Sequence, residues 1–227
     1  MNDTRLLIRS LAGMLFLLMV MGTAIFLPFG SLKYPLAWIY LTIFFALVLL
    51  ITLYLFLFDK HLLKSRLVAG PVAEPTWTQK IIQSAAALAF LGTYITSGFD
   101  HRSHWSMVPS SVSFLANAGC ALAFVFLFYV FKQNTYLSAT IEVQEQQQVI
   151  STGLYGIVRH PMYTGAIALM LFTPLALGSL WGLIPSIVLA VLIGIRAIDE
   201  EHKLSADLSG YKEYCIKVKH RLIPYVF

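Results

Sequence analysis

Residues 161–195 read PMYTGAIALMLFTPLALGSLWGLIPSIVLAVLIGI, with no charged side chain anywhere in the run. A helix needs about 20 apolar residues to cross the hydrocarbon core of a bilayer. The run is therefore too long for one crossing and short for two. Near its middle, Gly178-Ser179-Leu180-Trp181-Gly182 has the residues of a tight turn. That pattern predicts a helical hairpin with arms of about 17 residues. Pro174 and Pro185 predict that the arms are short, bent or tilted.

Outward from the hairpin, Leu11–Leu27, Leu36–Phe58, Ile81–Phe99 and Val112–Phe131 are also free of charge. Together the runs predict an all-α, polytopic transmembrane bundle of about six membrane helices. None alternates polar and apolar residues as a barrel strand must. The 227 residues are 58% hydrophobic and 12% charged, against roughly 45–50% and about 25% in globular proteins. That balance excludes a disordered chain and a disulfide-built domain, and it argues against a soluble globule. Cys120 falls mid-membrane and Cys215 in the tail, so no disulfide is expected.

The loops divide the basic residues unequally. With both termini on one side, that side holds fourteen of the sixteen Lys and Arg, and the other holds only Lys33 and Arg102. The positive-inside rule then predicts cytoplasmic termini. The net charge of +5 follows from this topology and from attraction to anionic headgroups. It does not point to nucleic acid, because no basic patch is interleaved with aromatics. Arg5 and Arg9 before an apolar stretch resemble a signal peptide, but the run exceeds a typical h-region, so retention as a membrane helix is expected.

The polar residues sort the chain into residues 1–133, a four-helix scaffold, and residues 134–227, a connector, the hairpin and a tail. In the scaffold, Pro71 and Pro75 break the loop after Phe58. The loop Phe99-Asp100-His101-Arg102-Ser103-His104-Trp105-Ser106 is read as a turn in which Asp100 pairs with Arg102 and Trp105 sits at the interface. Its two histidines and Asp100 lack the further ligand that a metal site needs, and no metal is expected.

In the second half, Gln144-Glu145-Gln146-Gln147-Gln148 reads alone as a solvated strip. It leads into Gly153-Leu154-Tyr155-Gly156-Ile157-Val158-Arg159-His160-Pro161-Met162-Tyr163-Thr164-Gly165. Proline suits the first position of a helix, and the residue before it is pushed to an extended conformation. A helix start at the membrane surface follows, with a positive dipole end that attracts anions. After the hairpin comes Arg196-Ala197-Ile198-Asp199-Glu200-Glu201, where Arg196 and Glu200 share a helix face at i, i+4. Tyr211-Lys212-Glu213-Tyr214 and Arg221-Leu222-Ile223-Pro224 lie on a basic, amphipathic tail suited to an anionic interface.

In this order the motifs G-x-Y-x-x-x-R-H-P-x-Y-x-G, R-x-x-x-E-E, Y-x-x-Y and R-x-x-P, over about residues 140–224, resemble the isoprenylcysteine carboxyl methyltransferase family and its bacterial relatives. The resemblance implies an S-adenosylmethionine-dependent methyltransferase in the bacterial inner membrane. Its cofactor is reached from the cytoplasm, and a lipophilic substrate enters from the bilayer. Membrane lipids are its surroundings, and no obligate protein partner is implied. Carried onto this chain, the cofactor pocket uses Gln144, Gln147, Gln148, Val149, Ile150, Tyr155, His160, Pro161, Met162 and Tyr163, and Arg196 and Glu200 carry the catalytic end. The short stretch between Gln144 and Gln147, and Lys217 where eukaryotic members often have Arg, depart from that family.

A carboxylate acceptor is already ionised at neutral pH, so it needs holding rather than deprotonation, a task that suits the guanidinium of Arg196. An amine or phenol acceptor would instead use Glu200 as base. The alternatives are an NADPH-dependent membrane sterol-type reductase, a phospholipid N-methyltransferase and a non-catalytic membrane scaffold. The last predicts that Tyr155, His160 and Glu200 share no cavity.

Overall fold

The computed structural model describes residues 2–141, 143 and 147–226. Among them are eight α-helices and no strand. They are α1 (Asp3–Phe29), α2 (Pro35–Phe58), α3 (Lys60–Arg66), α4 (Trp77–Ser103), α5 (Ser110–Gln133), α6 (Pro161–Ala176), α7 (Leu183–Asp207) and α8 (Tyr211–Lys217). Helices α1, α2, α4 and α5 are long and apolar enough to cross a membrane. The structure is therefore a helical bundle of membrane-protein character.

Local chemistry sets the helix ends. Asn2 caps α1 by accepting from Arg5 N at 3.0 Å, and Gly30 closes it at φ +78°, where a side chain would be strained. Thr76 caps α4 through Gln79 N at 3.3 Å. Pro35 and Pro161 stand at the starts of α2 and α6, where their missing N–H leaves no bond unmade. Pro174 falls inside α6 near its end. Pro185 sits in the first turn of α7, whose leading N–H groups have no helical partner anyway, so within the hairpin only Pro174 removes an internal donor, as Pro28 does near the end of α1.

The hairpin is fastened along α4 in one antiparallel register. Gln79 donates to Asp199, Thr93 meets Ser186 at 3.2 Å, and Ser179 donates to Asp100. A Cβ on Gly182 would come within 2.4 Å of Ser97 Oγ, so glycine is what permits that approach. In every one of these pairs the two residue numbers sum to 278 or 279, so the helices do not slip. From Gln79 to Asp100 the helix rises about 31 Å, close to the ~30 Å thickness of a hydrocarbon core. Gly165 and Gly119 do the same for α6 on α5, where an added Cβ would collide at 2.7–2.9 Å with Leu127 and Phe172.

The outer loop departs from the sequence-based expectation. Asp100 does not pair with Arg102. It accepts from Ser106 N at 2.7 Å, Ser106 Oγ at 2.6 Å and Trp181 N at 3.2 Å besides Ser179. Arg102 turns instead to the carbonyl of Pro28 at the end of α1. The turn carries bare N–H and O–H donors, and only a carboxylate accepts several of them at once. His101 stacks on Tyr34 at 4.1 Å between ring centres. The Asp100 end of the bundle is thus a closed hydrogen-bonded lid over the hairpin turn, and the polar cavity lies at the other end, where both termini also lie.

Candidate functional site

The site is built on the start of α6. His160, at φ −123° and ψ 64°, is not helical, and Pro161 begins the helix. Just before it the chain pairs with the tail, main chain to main chain. Arg159 N donates to His220 O and His160 N to Arg221 O, both at 2.9 Å, and Thr164 Oγ1 donates to Leu222 O at 2.6 Å. Glu201 locks this arrangement from α7, with Arg159 Nε at 2.7 Å, His160 Nε2 at 3.2 Å and Arg221 Nε at 2.9 Å. Burial by itself would raise the Glu201 carboxyl, but the bond and charge of His160, with those of Arg221 and Arg159, outweigh it and hold the group below the usual carboxylate range. Arg159 and His160, the two basic residues at the helix start, are therefore already met by Glu201.

Beside this lock lies a cavity with four walls. The first comes from the approach to α6 and its first turn: Tyr155, His160, Met162 and Tyr163. The connector supplies Asn134, Tyr136, Ser138 and Thr140 and then Gln147, Gln148, Val149 and Ile150. Helix α7 gives Glu200 and Leu204, and the tail gives Tyr211 and Tyr214. Pro161 shapes the wall by starting α6 without lining it, and Gln144 lies outside the described residues. Tyr155, His160 and Glu200, distant in sequence, thus share one hollow.

Within it, Glu200 accepts from the Tyr163 hydroxyl at 2.6 Å and has the His160 ring at 4.0 Å. Arg196 stands one layer behind. It donates from Nε to Tyr163 Oη at 3.1 Å, from Nη1 to Gln79 Oε1 at 2.7 Å and from Nη2 to Ala139 O at 3.0 Å. Its Nη2 also lies 2.7 Å from Glu74 Oε1, a carboxylate whose side chain has no exposed surface. Four of five N–H groups are engaged and the charge is matched, so Arg196 holds Tyr163 and the α4 and connector walls in place rather than projecting into the cavity.

The donor set suits S-adenosylmethionine. The hydroxyls of Tyr155 and Tyr211 are buried beside Asn134 and Cys215 respectively, but neither makes a well-formed hydrogen bond among the described residues. A buried polar group left so costs about 1–3 kcal/mol, which a ribose or adenine partner would recover. Burial, with carboxylate charges adding to it, pushes both tyrosines far above their ordinary range, so both are protonated donors at neutral pH. Glu200 and the faces of Tyr155 and Tyr163 favour a cationic sulfonium, and Gln147 and Gln148 carry amides that pair with a nucleobase edge.

Sequence reading assigned residues 1–133 to scaffold, yet Glu74 and Gln79 come from there and hold Arg196. Nothing local marks them, since Glu74 sits between prolines in a loop and Gln79 in an ordinary helix start. Glu201 stood in the quoted R-x-x-x-E-E motif without a distinct role. Tyr211 and Tyr214 were read as an interfacial tail, whereas both are buried, packing with Leu204 and Val218 against Val149.

Two similarities to known proteins are found, one of them located on this region. Residues 111–208, which carry nearly all of α5, the connector and the whole hairpin through the end of α7, match the phospholipid methyltransferase family. The chain is also 35% identical over 92 residues to Delta(14)-sterol reductase TM7SF2 of Mus musculus, covering 39% of this chain. It spans about a fifth of that relative's length, 22%.

Proposed function

We propose that this chain is an integral membrane methyltransferase that takes S-adenosylmethionine and passes its methyl group to a lipophilic acceptor, favouring a carboxylate of the isoprenylcysteine type. One observation carries the reading: Tyr155, His160, Tyr163 and Glu200 meet in a single cavity at a helix start, inside the segment that matches the methyltransferase family. When bound, the cofactor supplies an electrophilic methyl on a sulfonium. Tyr155 and Tyr211 bind its hydroxyl and base groups, Gln147, Gln148 and the Val149-Ile150 strip enclose it, and Glu200 faces the positive charge. Arg196 is a positioning residue that acts through Tyr163.

In this reading the hairpin crosses the membrane fully, giving six spans, because it is fastened to α4 over about the thickness of a hydrocarbon core. The termini and cavity face the cytoplasm of a bacterial inner membrane, and the acceptor arrives from the bilayer. Two related readings have observations in their favour. The family match favours a phospholipid amine as acceptor, with Glu200 taking the proton. The sterol reductase similarity favours NADPH in the same corner. The test is methyl transfer by the purified protein in lipid nanodiscs from methyl-labelled S-adenosylmethionine into the organic extract. Label in a base-labile ester supports a carboxylate acceptor, and base-stable label supports an amine. No label with any acceptor contradicts methyl transfer.

A further inference from the structure

Most charged groups around the cavity have a close ionic or amide partner, with two exceptions. Arg196 meets Glu74, Asp199 meets Gln79, and Arg159 and Arg221 meet Glu201. Glu200 faces inward with only the Tyr163 hydroxyl and the more distant His160. The second exception is Arg66, the last residue of α3, which meets no carboxylate among the described residues. Its Nη1 contacts the carbonyl of Ser138 at 3.3 Å and the sulfur of Met162 at 3.4 Å, and its guanidinium lies 5.4 Å from the Phe131 ring centre. Ser138 and Met162 are both cavity wall.

A partly buried guanidinium held by one carbonyl, a thioether and a ring face is poorly compensated for its lost water. Its fork geometry fits an oxyanion in two-point contact. Glu200 offers the cavity a negative charge from α7, and Arg66 brings a positive one from α3 to just behind the Met162 and Ser138 wall.

We infer that Arg66 binds the anionic group of the lipophilic acceptor, holding a carboxylate or phosphodiester at the Met162 and Ser138 wall. This rests on the methyltransferase reading above and adds to it a residue outside the matched segment. It moves anion recognition away from Arg196, whose charge is already neutralised.

The experiment is calorimetry on the full chain in detergent, first with S-adenosylhomocysteine and then with three amphiphiles. These are N-acetyl-S-farnesylcysteine, its carboxamide, and phosphatidylethanolamine in mixed micelles. The expected result is that wild type prefers the carboxylate over the carboxamide, or binds the phospholipid, and that Arg66→Gln weakens the charged ligand at least tenfold. The carboxamide and S-adenosylhomocysteine should change less than twofold. Arg66→Lys, which keeps the charge, should retain most of the preference and covers the case in which Arg66→Gln does not fold. An unchanged preference in Arg66→Gln, or a wild type without preference for any anion, overturns the role of Arg66 alone. A wild type that does not bind S-adenosylhomocysteine overturns the underlying reading instead.

Discussion

Tyr163 donates its hydroxyl to Glu200 at 2.6 Å while accepting from Arg196 at 3.1 Å. The phenol therefore aims the carboxylate at the cavity, and Arg196, fixed by Glu74 and Gln79, aims the phenol. In the proposed reaction the motif arginine would therefore work through its neighbour, with Glu200 as the charged group facing the cavity.

Tyr163→Phe tests this chain of contacts. The variant removes a hydrogen bond to a charged group, worth about 1.5–3 kcal/mol. Turnover should fall roughly 10- to 100-fold, with S-adenosylhomocysteine affinity changing less than about threefold, as read by label transfer and calorimetry. Turnover within twofold of wild type would remove Tyr163 from the machinery.

Glu74→Ala leaves the buried Arg196 unpaired, a loss of about 3–5 kcal/mol. Thermal unfolding in detergent should drop by several degrees, and Glu74→Gln, which keeps a carbonyl acceptor for Arg196, should drop less. Equal losses in the two variants would mean that the charge of Glu74 is not what holds Arg196.

Asp100→Ala unties the hairpin turn at the far end of the bundle. It removes a carboxylate that serves Ser106, Ser179 and Trp181, so a loss of about 3 kcal/mol is expected. Because the cavity is a full helix length away, S-adenosylhomocysteine affinity at low temperature should stay within twofold. A large change in affinity would show that the two ends are coupled.

Glu201 gives a pH dependence of defined sign. Its folded-state value is depressed below the ordinary 4.5, so its stabilisation is complete above 4.5 and is lost as pH falls from there through the lower folded-state value. The unfolding midpoint should be flat from pH 8 to about 6 and decline below about 4.5. Glu201→Gln should start from a lower midpoint and lose less on acidification. An acid limb of equal size in the variant would assign it to other carboxylates.

How legible all this was depends on the range of each signal. The hairpin, its turn at Gly178–Gly182 and the helix start at Pro161 follow from unbroken apolar length and from what proline and glycine do to the backbone. The gathering of Tyr155, His160 and Glu200 was readable because the motifs flank the two arms of that hairpin. Asp100 with Ser179, Gln79 with Asp199 and Glu74 with Arg196 were not readable. Each joins residues 79 to 122 positions apart, and no local periodicity records such a pairing. Arg66 looked like one basic loop residue among several, because only packing separates it from its neighbour Lys64, which stays exposed. The expected pairing of Asp100 with Arg102 failed in part for the same reason, since Asp100 is taken up by Ser106 nearby and by Ser179 and Trp181 of the hairpin turn.

In the proposed function the cavity beside Glu200 receives a sulfonium cofactor rather than a nicotinamide one. Isothermal titration of the purified full chain with S-adenosylmethionine, S-adenosylhomocysteine and NADPH decides between them most directly. The expected result is saturable binding of the first two, weakened at least tenfold for S-adenosylmethionine by Glu200→Gln, and no heat with NADPH. Saturable binding of NADPH with none of S-adenosylmethionine or S-adenosylhomocysteine would contradict it.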